Sequence, residues 1–324
     1  MAPKILVGTG TWGHNYGIDQ VRDQISQLDK LDCQQIDSAA LYPFTYPGVA
    51  ETLLGEIGYE GILVDTKVMW FDGGNNTLTV NAVQKSMTES LQRLKAKKVN
   101  ILYAHGPDHV TPLKEQAAAF DAVHRDGKCT KTGICNFSPK SFEEYLNICE
   151  EMGYVKPSVF QGQYNILCRT YETTLFPLLR KHGISFVAYS PLAGGMLSGK
   201  VTLSNNNPDA LRGTRFDVSK DNMMGMSGRH WYDKPVFHDA IRKMESLCKA
   251  HGVDMVDASM RWVLNHSILD GEQGDCVIVA PRSQNQLDSY AAAIHGEPLP
   301  PSLVEGLNDL WDKVADDAAP ILVY

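Results

Sequence analysis

The sequence predicts an α/β protein: a single-domain (β/α)8 TIM barrel over residues 1–324, with a long loop and extra helices between strands 7 and 8. Three observations predict this fold. Eight short apolar runs rich in β-branched residues recur, and their hydrophobicity is continuous, as in parallel strands buried on both faces. Helical patterns separate the runs. The first seven runs begin about 26–37 residues apart, which suits one βα unit each.

The predicted strands are residues 5–7, 35–37, 62–67, 99–104, 131–135, 158–161, 184–189 and 276–280. The predicted helices are residues 21–31, 80–94, 113–124, 141–152, 173–182, 235–250 and 254–264. Asp19 is predicted to cap the first helix, and Pro139 followed by Ser141 indicates the start of the fourth. Residues 204–228, rich in Gly, Asn and Met, predict a long loop over one mouth of the barrel.

Composition narrows the class of protein. The net charge is −8, from 30 Lys plus Arg and 38 Asp plus Glu, which argues against a nucleic-acid or anionic-membrane partner. The seven cysteines show no CxxC or Cys/His metal spacing, so we expect reduced thiols and no metal. Neither a signal peptide nor a run of about 18 apolar residues is present, so we expect a cytoplasmic protein without membrane spans.

A glycine-rich motif follows the first predicted strand. Residues 8–13 match G-x-G-x-x-G, and Asp37 stands near the place of a ribose-binding acid, so a Rossmann-type dinucleotide fingerprint is one reading. That fingerprint requires the helix to begin at the glycines. Here four residues intervene before a helix that starts near Asp19. We therefore favour the other reading, a glycine-rich turn at the mouth of the barrel.

Four polar residues follow three consecutive strands and form a candidate catalytic group. Asp37 and Tyr42 come from the end of strand 2, Lys67 from strand 3 and His105 from strand 4, and all should face the C-terminal mouth. A tyrosine donates protons poorly at neutral pH, but a buried ammonium beside it stabilises its phenolate. A carboxylate would keep that lysine charged, and the histidine would hold a carbonyl oxygen.

Each of these residues could instead have a purely structural role. Asp37 and Lys67 could form an ordinary ion pair, His105 could be a satisfied core histidine, and Tyr42 could be a rim aromatic. His105, with Asp108 and His109 close behind it in sequence, could also suggest a metal site. We disfavour that reading because no partner carboxylate from another strand can be named.

Several segments resemble, in order, those of the aldo-keto reductases. They are 37–42 (DSAALY), 66–67 (TK), 102–105 (LYAH), 133–137 (GICNF), 160–165 (FQGQYN) and 188–195 (AYSPLAGG). The segments 105–109 (HGPDH), 172–177 (ETTLFP), 261–262 (RW) and 266–267 (HS) further resemble the aflatoxin-aldehyde-reductase-like branch. The similarity covers nearly the whole chain.

This resemblance implies NADPH bound in an extended form without a Rossmann domain. It implies that Asn136 and Gln161 bond the carboxamide, that Tyr189 stacks on the nicotinamide, and that residues 190–200 wrap the pyrophosphate. The cofactor-binding residues implied in this way are Asn136, Gln161, Tyr189, Ser190, Leu192, Gly194, Lys200, Arg215, Arg282, Ser283 and Gln286. An Arg and a hydroxyl at 282–283 suit a 2′-phosphate and favour NADPH over NADH.

Four positions depart from the family pattern. Cys135 stands where Ser is usual and Tyr290 where Asn is common, which weakens two expected cofactor contacts. The loop at 43–48 is longer than in relatives. The branch's C-terminal Arg, which helps to bind acidic substrates, is absent from the end of this chain. A bulky apolar or aromatic carbonyl is therefore expected. The candidate pocket residues are Met69, Trp70, Phe71, Met223, Met224, Met226 and Trp231.

The expected function is NADPH-dependent reduction of an aldehyde or ketone to an alcohol, with Tyr42 as general acid. Two alternatives stay open: reduction of an imine or enone intermediate, and an NADPH-binding regulatory subunit with vestigial turnover. The expected partner is a small-molecule carbonyl substrate, and the branch resemblance implies a homodimer.

Overall fold

The computed structural model describes residues 1–14, 16–204, 207–212, 214, 216–217 and 223–322. Eight parallel strands close into a barrel in sequence order, with the first strand paired to the last. The strands are β1 Lys4–Gly8, β2 Gln35–Asp37, β3 Leu63–Lys67, β4 Val99–Ala104, β5 Cys129–Cys135, β6 Val159–Gln163, β7 Ser185–Tyr189 and β8 Cys276–Val279. The predicted (β/α)8 fold is confirmed.

Predicted strand bounds differ from the observed ones mainly where polar residues extend a strand. β5 begins at Cys129 rather than at residue 131, because Cys129 lies in register with Val99 of β4. Thr130 and Lys131 are exposed there, so hydrophobicity does not mark the start of the strand. β6 likewise continues to Gln163, which is in register with Tyr189 of β7. Backbone pairing, unlike burial, does not require an apolar side chain.

Helices surround the barrel and follow most of its strands. The α-helices are Ile18–Ile25, Val49–Ile57, Val80–Leu94, Leu113–Arg125, Pro139–Met152, Tyr171–Thr174, Phe176–His182, Lys200–Leu203, Pro208–Leu211, Met223–Tyr232, Pro235–His251, Met255–Asn265, Gln284–Ile294 and Pro301–Ala318. Helix Val80–Leu94 matches its prediction, and the Thr79 hydroxyl caps it by accepting a hydrogen bond from the Ala82 amide. Asp254 caps Met255–Asn265 in the same way.

Two helix predictions were wrong in detail. The first helix begins at Ile18 after Gly17, so Asp19 lies in its first turn and is not its cap. That helix ends at Ile25, and residues Leu28–Leu31 form a separate 3-10 turn. The predicted helix 173–182 is divided at Leu175, because Pro177 has no N–H to continue the first segment.

The stretch 204–228 is not one long loop, as the sequence suggested. Within its described part, helix Pro208–Leu211 is capped by Asn207, whose side chain accepts a hydrogen bond from the Asp209 amide at 3.0 Å. Helix Met223–Tyr232 begins before the stretch ends. Short helices of this kind lack a long apolar period, so the sequence pattern did not reveal them.

Apolar packing forms two separate clusters. The larger one fills the space between the sheet and the surrounding helices. The smaller one lies inside the barrel and consists of Leu6, Ile101, Tyr103, Cys135, Val159, Val187, Cys276 and Ile278. Successive residues of β1 alternate between the clusters: Val7 faces the helices and Leu6 the interior. The packed interior cluster therefore supports the side chains that lie at the C-terminal mouth of the barrel.

None of the helices in the described part of the chain combines the length and apolarity needed to cross a membrane.

Candidate active site

The four predicted catalytic residues come together at the C-terminal mouth of the barrel. The Lys67 Nζ donates hydrogen bonds to Asp37 Oδ2 at 2.6 Å and to the Ser38 carbonyl at 2.8 Å. The same nitrogen lies 5.0 Å from the centre of the Tyr42 ring. The Tyr42 and His105 rings meet edge to face, with their centres 5.4 Å apart. Residues distant in the sequence thus form one compact group.

The Lys67–Asp37 ion pair is fully buried, since Lys67 is 0% and Asp37 2% exposed. Burial by itself lowers the pKa of Lys67. The opposing charges, chiefly that of Asp37 and then that of deprotonated Tyr42, outweigh burial, so the pKa of Lys67 is raised above its usual value. Lys67 therefore remains an ammonium ion at neutral pH, in a medium where its charge acts strongly on neighbouring groups.

His105 is neutral at physiological pH. Burial, and secondly the nearby Lys67 charge, lower its pKa well below the ordinary range for histidine. Its Nδ1 is buried and has no hydrogen-bond partner among the described residues. Its backbone carbonyl accepts a hydrogen bond from Asn136 Nδ2 at 3.2 Å. A neutral imidazole held in this way can donate from one ring nitrogen to a substrate oxygen.

Gln161 has a partner that the sequence did not predict. Its Nε2 donates to Asp37 Oδ1 at 2.8 Å, so each oxygen of that carboxylate accepts a hydrogen bond from a different side chain. Gln161 also lines the adjoining cavity. The Gln161 amide therefore contacts the Asp37–Lys67 pair and also borders the cavity, where the resemblance to the family implies a contact with the cofactor carboxamide.

A cavity of about 1230 Å³ opens beside this group and extends across the mouth of the barrel. Asp37, Tyr42 and His105 line it, whereas Lys67 lies behind them. Ten of the predicted cofactor-binding residues line the same cavity: Asn136, Gln161, Tyr189, Ser190, Leu192, Gly194, Lys200, Arg282, Ser283 and Gln286. Arg215 lies outside the described residues. The predicted catalytic and cofactor-binding positions thus border one continuous space.

The segment after β7 forms a tight backbone turn along the cavity. Ala193–Ser198 is a 3-10 helix interrupted at Gly194 and Gly195, whose φ angles are +67° and +110°. A side chain at either position would strain the backbone. A Cβ built on Gly194 would meet no atom within 4 Å, so open space borders the turn.

Two further segments border the cavity, one at Asn136 and one after β8. Asn136 adopts a left-handed backbone with φ 61°, and its Oδ1 accepts a hydrogen bond from the Tyr189 hydroxyl at 3.0 Å. After β8, the Gln286 side chain accepts a hydrogen bond from the Arg282 amide at 2.7 Å. The Ser283 hydroxyl caps the following helix through the Gln286 amide. These contacts fix the backbone that presents the Arg282 side chain.

The lining fits an extended dinucleotide. The cavity is bordered by His105, whose buried Nδ1 has no hydrogen-bond partner among the described residues, by the open turn at Gly194, and by Arg282 and Ser283, which suit an anionic group. The volume exceeds the roughly 300–1,000 Å³ of most small-ligand pockets, so a substrate has room beside the dinucleotide.

The glycine motif at 8–13 does not begin a helix. The helix starts at Ile18, and the Thr9 hydroxyl donates to Ser38 Oγ at 2.9 Å, which ties the turn to the residue after Asp37. Gly8 and Gly10 line the cavity. The turn interpretation therefore agrees with the structure, and the Rossmann-type reading does not.

Three aromatic side chains border the cavity, and one of them lies near His105. Phe44, Trp70 and Trp231 line it, and the Trp70 ring centre lies 6.4 Å from that of His105. Two predicted pocket residues are not part of it: Phe71 is 59% exposed, and Met69 does not border the cavity. The side chains of Met223, Met224 and Met226 lie outside the described part. Phe44, in the extended loop after Tyr42, was not singled out from the sequence.

The structure shows the surroundings of the two residues that were expected to weaken cofactor contacts, Cys135 and Tyr290. Cys135 is buried, and burial raises the pKa of its thiol, so it stays protonated. Tyr290 lines the cavity. Asp108, considered for a metal site, accepts hydrogen bonds from the amides of Leu78, Val110 and Thr111, each at 3.0 Å. Its carboxylate therefore shapes the loop that follows His105.

The sequence analysis also missed Asp65 on β3, a buried carboxylate in register with Asp37 of β2. Burial, the largest influence, raises its pKa to about 7 although Gln35 and Asn100 donate hydrogen bonds to it. A carboxyl with a raised pKa favours the folded state most at low pH. That contribution is complete below the unfolded pKa of about 4 and is lost as the pH rises through about 7.

We expect Asp65→Asn to remove this pH dependence. Relative to the wild type, the variant should gain about 2–3 kcal/mol in unfolding free energy between pH 5 and pH 8. Urea unfolding of both chains at several pH values measures the difference. A constant difference across that range would contradict the prediction.

The chain is similar to known proteins over nearly its full length. The profile of the Aldo/keto reductase family matches residues 4–312. An aldo-keto reductase of Pseudocercospora fijiensis is 33% identical over 300 residues, which is 91% of this chain and 99% of that protein. The human aldo-keto reductase family 7 member A3 is 34% identical over 87% of this chain and 86% of its own. Rat aflatoxin B1 aldehyde reductase member 2 is 31% identical over 98% and 87%.

Proposed function

Since this chain belongs to the aldo/keto reductase family and is an NAD(P)-dependent oxidoreductase, we propose that it uses NADPH to reduce bulky apolar or aromatic aldehydes and ketones. One observation carries the proposal: the buried Lys67–Asp37 pair lies against the Tyr42 ring, and Tyr42 borders the cavity.

Tyr42 acts as the general acid. As the carbonyl oxygen gains negative charge, the Tyr42 hydroxyl gives it a proton and becomes a phenolate. The Lys67 ammonium stabilises that phenolate, since the two charges interact favourably within the buried group. Asp37 keeps Lys67 charged and in place through its 2.6 Å contact. Lys67 thus acts through Tyr42 without touching the substrate.

His105 orients the substrate. It is neutral, it borders the cavity, and its ring packs edge to face on Tyr42. A ring N–H can therefore hold the carbonyl oxygen near the Tyr42 hydroxyl without competing as an acid. Trp70, Phe44 and Trp231 offer apolar surface to a large substrate.

The residues that would hold the cofactor are those that line the groove from Asn136 to Gln286. Asn136 and Gln161 would bond the carboxamide, Tyr189 would stack on the ring, and the turn at Gly194 would bring backbone amides to the pyrophosphate. When bound, the nicotinamide supplies the hydride that reduces the carbonyl carbon.

Arg282 is expected to select NADPH over NADH. We expect Arg282→Ala to weaken NADPH binding by about 10- to 100-fold and NADH binding much less, because only NADPH carries the dianionic 2′-phosphate. Fluorescence titration with both cofactors measures this. Arg242→Ala, at an exposed Arg paired to Asp239, is the matched control. Equal losses for the two cofactors would contradict the assignment.

The activity test is cofactor oxidation over a panel of aldehydes, ketones, imines and enones, with NADPH and with NADH. We expect the highest kcat/KM with NADPH and aromatic aldehydes or ketones, and lower values with carboxylate-bearing semialdehydes. Preferential turnover of imines or enones would move the proposal to those substrates. Tight NADPH binding without turnover of any panel member would replace it with a regulatory role.

A further inference from the structure

The barrel interior holds a second carboxylate close to the proposed acid. We propose that Asp65 is a positioning residue whose charge state tunes proton donation by Tyr42, acting through the electrostatic field at Lys67. This inference rests on the proposed function, because it concerns the rate of the same proton transfer.

Asp65 is held inside the barrel by neutral groups. It is 0% exposed and lies in register with Asp37 on the neighbouring strand. Its oxygens accept hydrogen bonds from Gln35 Nε2 at 2.5 Å, Asn100 Nδ2 at 2.7 Å and the Ile101 amide at 3.2 Å. No Lys, Arg or His nitrogen of the described chain lies within 4.0 Å of it. Asp37, in contrast, has its own ammonium partner.

Titratable groups face Asp65 from the strands on either side and from across the barrel. Those that interact electrostatically with its carboxylate are Asp37 on β2, Lys67 on β3, Tyr103 on β4 and Cys276 on β8. Of these, Lys67 alone is cationic. The Tyr103 hydroxyl is buried without a hydrogen-bond partner among the described residues, so it does not compensate the charge.

The net charge of the buried groups Asp37, Asp65 and Lys67 therefore depends on whether Asp65 is ionised. Burial raises its pKa to about 7, so the carboxyl gains or loses its proton in the neutral range. With Asp65 neutral, the Lys67 ammonium is balanced by Asp37 alone. With Asp65 ionised, an extra negative charge opposes formation of the Tyr42 phenolate. Proton donation to a carbonyl should therefore be faster below pH 7 than above it.

The sheet uses the Asp65 side chain as a hydrogen-bond acceptor, which does not require a charge. β3 pairs with β4 from Thr66 and Leu102 onward, and just before that point the Asp65 carboxylate accepts the Ile101 amide, a bond that the oxygen of an asparagine can also accept. An asparagine can keep some of these hydrogen bonds. Compared with asparagine, an aspartate at position 65 adds a group that can change its charge, and this group lies two residues before Lys67.

The test compares single-turnover reduction rates at saturating NADPH, at pH 6 and pH 8, for the wild type and for Asp65→Asn. We expect the ratio of the pH 6 rate to the pH 8 rate to be about three- to tenfold larger in the wild type. Gln35→Met removes a donor that favours the ionised carboxylate, so it should move the step in rate to higher pH. Infrared difference spectra supply a readout independent of turnover. A protonated-carboxyl band should disappear between pH 6 and pH 8 in the wild type and be absent from Asp65→Asn.

Equal rate ratios in the wild type and Asp65→Asn would overturn the inference. Where Asp65→Asn fails to fold, a Gln35→Met profile that superposes on the wild type would overturn it. These outcomes differ from failure of the proposed function, in which the wild type turns over no carbonyl of the panel. Active wild type with an unchanged pH ratio would refute the role of Asp65 alone.

Discussion

Replacement of Tyr42 by phenylalanine is expected to lower kcat for carbonyl reduction by about 10²- to 10⁴-fold and to leave NADPH binding within about twofold of the wild type. The ring remains, so its contacts with His105 and Lys67 can persist. Only the hydroxyl that supplies the proton is lost. Steady-state kinetics with an aromatic aldehyde and NADPH titration measure the two effects separately.

Tyr46→Phe is the matched control. Tyr46 lies in the same loop after β2 and is 58% exposed, so loss of its hydroxyl should leave kcat unchanged. Near-normal turnover in Tyr42→Phe would end the assignment of Tyr42 as the acid. Loss of both NADPH binding and turnover would instead indicate that the Tyr42 hydroxyl is needed for the structure of the cofactor-binding cavity.

Lys67→Met is expected to destabilise the protein by about 3–5 kcal/mol and to abolish measurable turnover. Methionine fills most of the lysine volume, but it leaves Asp37 buried without the ammonium that now lies 2.6 Å away. Turnover is lost because the ammonium that stabilises the Tyr42 phenolate is gone. Chemical denaturation gives the stability, and the aldehyde assay gives the activity.

Two controls separate the effect of the buried charge from that of substitution in general. Lys249→Met removes an exposed lysine paired to Glu245 and should change stability by less than about 0.5 kcal/mol. Asp37→Asn in the Lys67→Met background removes the unpaired charge and keeps an amide oxygen for Gln161, so it should recover much of the stability and none of the activity. A Lys67→Met protein as stable as the wild type would contradict this account of the pair.

The sequence determined the fold and the location of the catalytic group. Continuous apolar runs such as 99–104 and 184–189 predict buried parallel strands, and eight of them in order predict a closed barrel. Once the barrel is known, the ends of its strands must meet at one mouth. The sequence therefore predicts that Asp37, Lys67 and His105 lie together, and the resemblance to the family predicts the positions around the cavity.

Only the tertiary structure decided which groups bond to one another. Gln161 donates to Asp37 across 124 residues of sequence, and Asp65 accepts hydrogen bonds in the interior from side-chain amides of two other strands. Neither contact leaves a local pattern, because a hydrogen bond depends on tenths of an ångström between side chains brought together by closure of the barrel. Sequence periodicity fixes which face of a strand a residue occupies. The protonation behaviour of Asp65 follows instead from burial and neighbouring charges, which exist only in the folded chain.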